Sequence, residues 1–179
     1  MYQSLSNVKA SPPKHALPEE LEIMVNDATC YPTHMLAVHS SSPQPDETCQ
    51  ITMYPTHHLI LASHCASLPV LPPSCPSPLP GPSSSSSSSS STVTIPVVSL
   101  SIPSPPTFPL LHSYLYTKDL RNVVSALFSP SDPDAPQRQA ALVYGVWSNA
   151  HALGVVDEKL FDVLDKAWEL IATKLRVSS

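Results

Sequence analysis

Glycine is nearly missing: the 179-residue chain has 3. Phosphate-cradling loops need glycines so that backbone N–H groups can close on the anion, and no such loop is expected here. There is no Gly-x-Ser-x-Gly and no glycine-framed cysteine, which removes the usual settings of a nucleophile. Charge is also scarce, at 13% of residues, and Thr48 to Thr117 contains no Asp, Glu, Lys or Arg. General acid–base pairs need converging carboxylates, and the middle of the chain supplies none. An enzyme is not expected. Clustered Lys and Arg are absent and the net charge is -5, so direct nucleic-acid binding is not expected either. The apolar runs are broken by Pro and Ser and fall short of the roughly 20 residues of a membrane span. The N-terminus lacks the apolar core of a signal peptide, and no basic run reads as a classical nuclear signal. An intracellular protein, nuclear or cytoplasmic, with Cys30, Cys49, Cys65 and Cys75 reduced, is expected.

His57, His58, His64, Cys65 and Cys75 are the residues that bear on metal binding. Their spacing does not pair ligands as a structural zinc site would, and neither metal nor cofactor is expected. Ser11, Ser42, Ser77, Ser104 and Ser129 each precede proline. They are candidate sites of proline-directed phosphorylation, although such pairs also arise by chance in a chain rich in both residues.

What the chain has in excess is proline, 22 in all, and a run of serine from Ser83 to Ser91. Residues 1–20 read as a disordered tail and 69–91 as a flexible Pro/Ser-rich insertion. Between them, 21–68 reads as the first part of a domain. Leu21 to Val25 fits a strand or a helical turn. Tyr-Pro-Thr-His occurs at Tyr31 and again at Tyr54, each time followed by an apolar run; a duplicated strand-turn unit and chance similarity both fit. Ile51 to Ser63 reads as a short strand broken at Pro55, then a buried strand or a passage into a helix.

Residues 92–177 form the second part. Val93, Ile95, Val97, Leu100 and Ile102 predict a strand, placed at a sheet edge because Pro96 cannot donate to a ladder. Thr107 is the expected N-cap of a helix with Pro109 in its first turn. Phe108, Leu111 and Leu115 share one face, widened by Leu110 and Tyr114. Phe108 and Tyr114 are expected in the core, and Tyr116, off the stripe, at the surface. Lys118 to Leu127 predicts a second short helix. Val143, Val146, Trp147, Ala150 and Leu153 mark the apolar stripe of a longer one, which Gly154 stops. Asp157 then caps a last helix with Leu160, Leu164, Ala167 and Ile171 on its inner face. The last two helices are expected to form an αα-hairpin.

Three pieces carry a family resemblance. Thr56-His-His-Leu-Ile-Leu-Ala-Ser63 resembles the His-to-apolar segment of BTB/POZ domains. Phe108 to Thr117, ending Tyr-Leu-Tyr-Thr, resembles a later helix of that domain, and Trp147 to Gly154 its closing helical pair. In combination the chain looks most like fungal proteins related to the basidiomycete clampless protein. The resemblance implies an α+β, BTB/POZ-like fold, a small sheet covered by helices, with His57, Leu59, Leu61, Phe108, Leu111, Tyr114, Leu115, Tyr116, Trp147, Leu153 and Gly154 as motif and core residues. It implies a protein–protein interaction module in fungal mating and dikaryon development. Its partners would be a second copy or another protein in a dimer, and transcription factors. A degenerate enzyme and a partner-dependent structural adaptor are the alternatives.

Overall fold

The computed structural model describes residues 17–25, 31–42, 50–74, 91–128 and 135–177. Most of the tail and of the Pro/Ser-rich insertion, and with them Ser11, Ser77, Ser129, Cys30, Cys49 and Cys75, lie outside the described residues. The chain divides into two compact units. The first holds the described residues up to 39, 50–61, 69–74 and 91–101; the second holds 40–42, 62–68 and those from 102 onward.

The first unit is a sheet of β1 (Glu20–Val25), β2 (His34–Ser40), β3 (Thr52–Thr56) and β4 (Ser91–Ile102), in the order β1-β4-β2-β3. In β1 the period-2 pattern decides between strand and turn. Glu20, Glu22 and Met24 are exposed, while Leu21 and Ile23 turn inward with the buried Val25. Opposite them on antiparallel β4 stand Ile95, Val93 and Ser91. Met35, Ala37 and Met53 complete this core.

β4 is interior, not the edge strand that Pro96 implied. Successive amides of a strand point to opposite sides. Val97 N–H donates to Glu19 O at 2.8 Å, so the missing Pro96 donor faces away from β1 and that ladder stays intact. Pro55, by contrast, does sit on an edge strand, β3, and continues it rather than breaking it.

The two Tyr-Pro-Thr-His copies differ in conformation. The first leads into β2; the second ends β3 and opens α1 (His58–His64). They meet each other, with His34 opposite Thr56 and Leu36 opposite Tyr54 in an antiparallel pair. They are partners in one ladder, not repeats of one unit.

The second unit is helical. A 3-10 turn, Pro105–Thr107, runs straight into α2 (Phe108–Thr117), followed by α3 (Leu120–Leu127), α4 (Ala135–Ala152) and α5 (Glu158–Val177). Each contributes its apolar face: Phe108, Leu111, Tyr114 and Leu115; Val123 and Leu127; Val143, Val146 and Ala150; Leu160, Leu164, Ala167 and Ile171. α2 packs on α3 and α4, and α4 packs along α5. α2 ends on Lys118, a residue with a φ of 53° whose N–H closes on Tyr114 O at 2.8 Å. Asp119 then caps α3, accepting from Arg121 N–H.

Candidate functional site

In the first unit the Tyr-Pro-Thr-His ladder builds a polar cluster. Thr33 N–H donates to Thr56 O at 2.9 Å, and His58 N–H donates to Thr33 Oγ1 at 2.8 Å. The buried His34 ring lies with Nδ1 2.9 Å from Thr33 Oγ1 and Nε2 2.8 Å from Pro72 O. Pro72 has only an acceptor to offer, so Nε2 carries the proton and donates. The ring therefore ties the start of the proline-rich stretch to β2. His58 meets His34 edge to face at 5.7 Å. Burial lowers His57 from its ordinary value, against a backbone hydrogen bond with Tyr31 that raises it.

In the second unit, Asn149 is the side chain the sequence reading passed over. It is fully buried on α4. Its Oδ1 accepts from Ser104 N–H at 2.9 Å, and its Nδ2 donates to Ser104 O at 2.6 Å and Thr107 Oγ1 at 2.9 Å. Thr107 Oγ1 donates in turn to Ser104 O. Thr107 holds the N-cap position of α2 with Pro109 in the first turn, as expected, but its hydroxyl is engaged in the preceding turn and makes no side-chain cap bond. Ser104, one of the candidate phosphorylation sites, is half-buried. Both its backbone groups are held by Asn149, and its Oγ lies against Gly145. Ser42 is exposed.

A second cluster ties residues 64–67 to the α4–α5 junction. Cys65 bridges to Val155, Ala66 N–H donates to Gly154 O at 3.0 Å, and Ser67 N–H to Leu153 O at 2.9 Å. Gly154 has a φ of 63°, and a Cβ there would stand 2.8 Å from Ser67 Oγ. Both the left-handed backbone and the close approach require glycine.

Asp157 heads α5 beside this junction. Its Oδ2 accepts from Tyr114 OH at 2.9 Å and from Lys118 Nζ at 3.2 Å. Lys118 Nζ also lies 5.1 Å from the centre of the Tyr114 ring. Burial pulls the Asp157 carboxyl upward, but the bonds from Tyr114, Lys118 and Leu160 N–H outweigh it and hold the group below its ordinary value. Burial, then the bond to Asp157, pushes Tyr114 well above the usual phenol range. Burial pushes the Cys65 thiol up to about 11, so it is protonated at neutral pH and a poor nucleophile. Burial and then Lys118 lower His64, against the opposing pull of Asp157.

These shifts set a pH dependence. Asp157 is lower in the folded chain than in the unfolded one, so its contribution to stability is present above the unfolded value and lost as pH falls through the folded one. His64, also lowered, favours the neutral form and resists protonation below its ordinary range, which adds in the same direction. Urea midpoints are expected to fall from pH 7 to pH 3, with a shallower fall in Asp157→Asn; equal slopes would remove Asp157 from this role.

The motif residues divide by burial. Leu61, Phe108, Leu111, Tyr114, Leu115 and Leu153 are buried; His57, Tyr116 and Gly154 are half-buried. Two depart from a core placement. Leu59 is 80% exposed, because it lies on the outer side of α1 while Leu61 faces in. Trp147 is 38% exposed, one position past the buried Val146 and so turned about 100° from it around the helix. Its ring stacks parallel to His151, at 5.3 Å and 2°, and near-parallel to Tyr144, at 6.4 Å and 20°. Among the described residues no group of three or more His, Cys, Asp or Glu side chains is placed to hold a metal ion. No described helix is long and apolar enough to cross a membrane.

These features define a mixed α+β protein made of a four-stranded sheet unit and a helical unit, each pinned by buried polar clasps. Residues 1–103 match the Clampless protein 1 N-terminal domain, and residues 68–179 match the Clampless protein 1 C-terminal domain. The chain belongs to the clampless protein 1 family, as the resemblance in its three motifs implied. No curated protein and no solved structure matches it.

Proposed function

We infer that the chain is a non-enzymatic protein–protein interaction module that regulates fungal sexual development, at clamp-cell and dikaryon formation, by binding transcriptional regulators. The observation that carries this reading is the match of both clampless domains, one to each half of the chain with a shared stretch. The chemistry supports it. Several polar groups serve as clasps: the buried Asn149 uses both ends of its amide, the half-buried Asp157 is held by three donors, and the Cys65 thiol stays protonated. The exposed rings on α4 are the kind of side chain that anchors interfaces.

On this reading the fold is BTB/POZ-like. The α4–α5 pair is the αα-hairpin that closes it, 21–68 and 92–177 are two parts of one domain, and 69–91 is an insertion. The module needs no cofactor and touches neither nucleic acid nor membrane directly. It works inside the cell, and Ser42, exposed among the described residues, is one of the Ser-Pro sites, with Ser11, Ser77, Ser104 and Ser129, through which added charge would alter docking. Deleting the gene in the fungus that carries it is expected to abolish clamp connections in mated hyphae, and reintroducing the intact chain to restore them. Affinity capture from the same hyphae is expected to recover homeodomain or other transcription factors. A deletion strain with a normal frequency of clamps contradicts the reading.

A further inference from the structure

The proline-rich stretch opens with six described residues, Pro69 to Ser74, that form neither helix, strand nor turn. Their conformation follows from the prolines. The rings of Pro69, Pro72 and Pro73 lock φ at about -65°. Leu71 and Pro72 each stand before a proline and are held out of the helical region. The segment is thus set for a polyproline II helix, in which residues three apart share an edge. Burial follows that period. Leu71 and Ser74 are half-buried and form the inner edge, while Val70 and Pro73 are exposed. Val70 reaches 93% exposure. On the third edge Pro69 is half-buried and Pro72 exposed.

The segment is held as well as extended. The buried His34 ring on β2 donates from Nε2 to Pro72 O at 2.8 Å. Part of the ordering that binding would demand is therefore already in place. The other two Pro-x-x-Pro spacings among the described residues, Pro103 to Pro106 and Pro106 to Pro109, run into the 3-10 turn and α2 and are not presented this way. What 69–73 offers is two adjacent edges, Pro69 with Pro72 and Val70 with Pro73, both apolar. A groove lined by aromatic rings takes such a preformed helix. From Thr48 to Thr117 there is no Asp, Glu, Lys or Arg. A groove that relied on a charged rim would lose water there and meet no opposite charge in return. The fitting groove is aromatic and uncharged.

We propose that residues 69–73 are a docking ligand for a partner domain that receives a polyproline II helix in an uncharged, aromatic-lined groove. The proposal stands on this segment alone and does not depend on a role in clamp formation.

Biolayer interferometry of the full chain over the immobilised SH3, WW and EVH1 domains of the fungus that carries it tests the proposal. At least one domain is expected to bind with a Kd tighter than about 100 µM. That binding is expected to persist at high salt, since no ion pair crosses the contact. The Pro69→Ala, Pro72→Ala double variant is expected to weaken it at least about tenfold, because alanine frees the backbone and removes the ring contacts. Val70→Asp is expected to weaken it as much by setting a charge against the groove. Far-UV circular dichroism checks the fold, and if the double variant unfolds, Val70→Asp decides, since that side chain is 93% exposed. Pro76→Ala with Pro78→Ala, further along the stretch, is expected to leave binding unchanged. Binding by none of the domains overturns the proposal, as does binding indifferent to the changes at 69–72 or binding lost with alanine at Pro76 and Pro78.

Discussion

Asn149→Leu is expected to lower the unfolding free energy by about 2–4 kcal/mol, the range for leaving a buried donor unsatisfied while losing two further hydrogen bonds. Leucine has the branched skeleton of asparagine with bulkier methyl groups, so the loss reports missing hydrogen bonds and crowding and not a cavity. Three bonds disappear: from Ser104 N–H, to Ser104 O and to Thr107 Oγ1. Ser104 O keeps the Thr107 hydroxyl as a donor, at 3.1 Å, but Ser104 N–H is left without the acceptor it had. Asn149→Asp separates shape from hydrogen bonding further. It retains the acceptor for Ser104 N–H and sets an oxygen against Ser104 O, at the 2.6 Å now spanned by a donor. Both variants are expected to move the urea midpoint at pH 7 down by a like amount. Gly145, one turn earlier on the same face, explains why the turn can come so close. A Cβ there would meet Thr107 Cγ2 at 2.6 Å and Ser104 Oγ at 2.7 Å. An unchanged midpoint in Asn149→Leu would show that the turn before α2 is held by something else.

Leu111→Ala and Leu115→Ala are each expected to cost about 2–5 kcal/mol, the range for deleting a buried leucine side chain. Both are at most 1% exposed, in the face of α2 that also buries Phe108 and Tyr114. Leu59→Ala removes the same atoms from a site that is 80% exposed, and surface changes of this kind stay within about 0.5 kcal/mol. The comparison holds chemistry constant and varies burial alone. Equal midpoints for all three variants would take α2 out of the core of the helical unit.

The helices were legible because burial follows the 3.6-residue period. In α2 and α5 the residues on the shared stripe are the buried ones, Leu110 apart. The same period misled where size was taken for position. Trp147 is the largest apolar residue of α4, but it sits beside the stripe of Val143, Val146, Ala150 and Leu153, and it is partly exposed. The same stripe held the signal for Asn149. Its spacing of three from Val146 and four from Leu153 places it inside, where an amide must find partners. Polar residues within helices are usually read as solvated, and that habit hid it.

The sheet was less legible because strand order depends on pairings distant in sequence. Pro96 argued for an edge, but a strand has two sides, and its missing N–H affects one of them. The likeness of YPTH at Tyr31 and at Tyr54 was real in sequence and false as a structural repeat. The two segments meet in one ladder, the first leading into β2 and the second ending β3 and opening α1. Leu59 and Leu61 show the same limit. Local sequence makes both apolar, and only the direction of α1 decides which is buried.

Under the function we propose, this clampless-family chain acts by contact, and the exposed rings of α4 take part in it. Clamp connections counted in a deletion strain test it most directly, with rescue by the intact chain compared against rescue by the Tyr144→Lys, Trp147→Lys double variant at matched protein level and unchanged circular dichroism. Full rescue by the intact chain and loss of clamps with the variant is the predicted result. Clamps restored equally by both would contradict it.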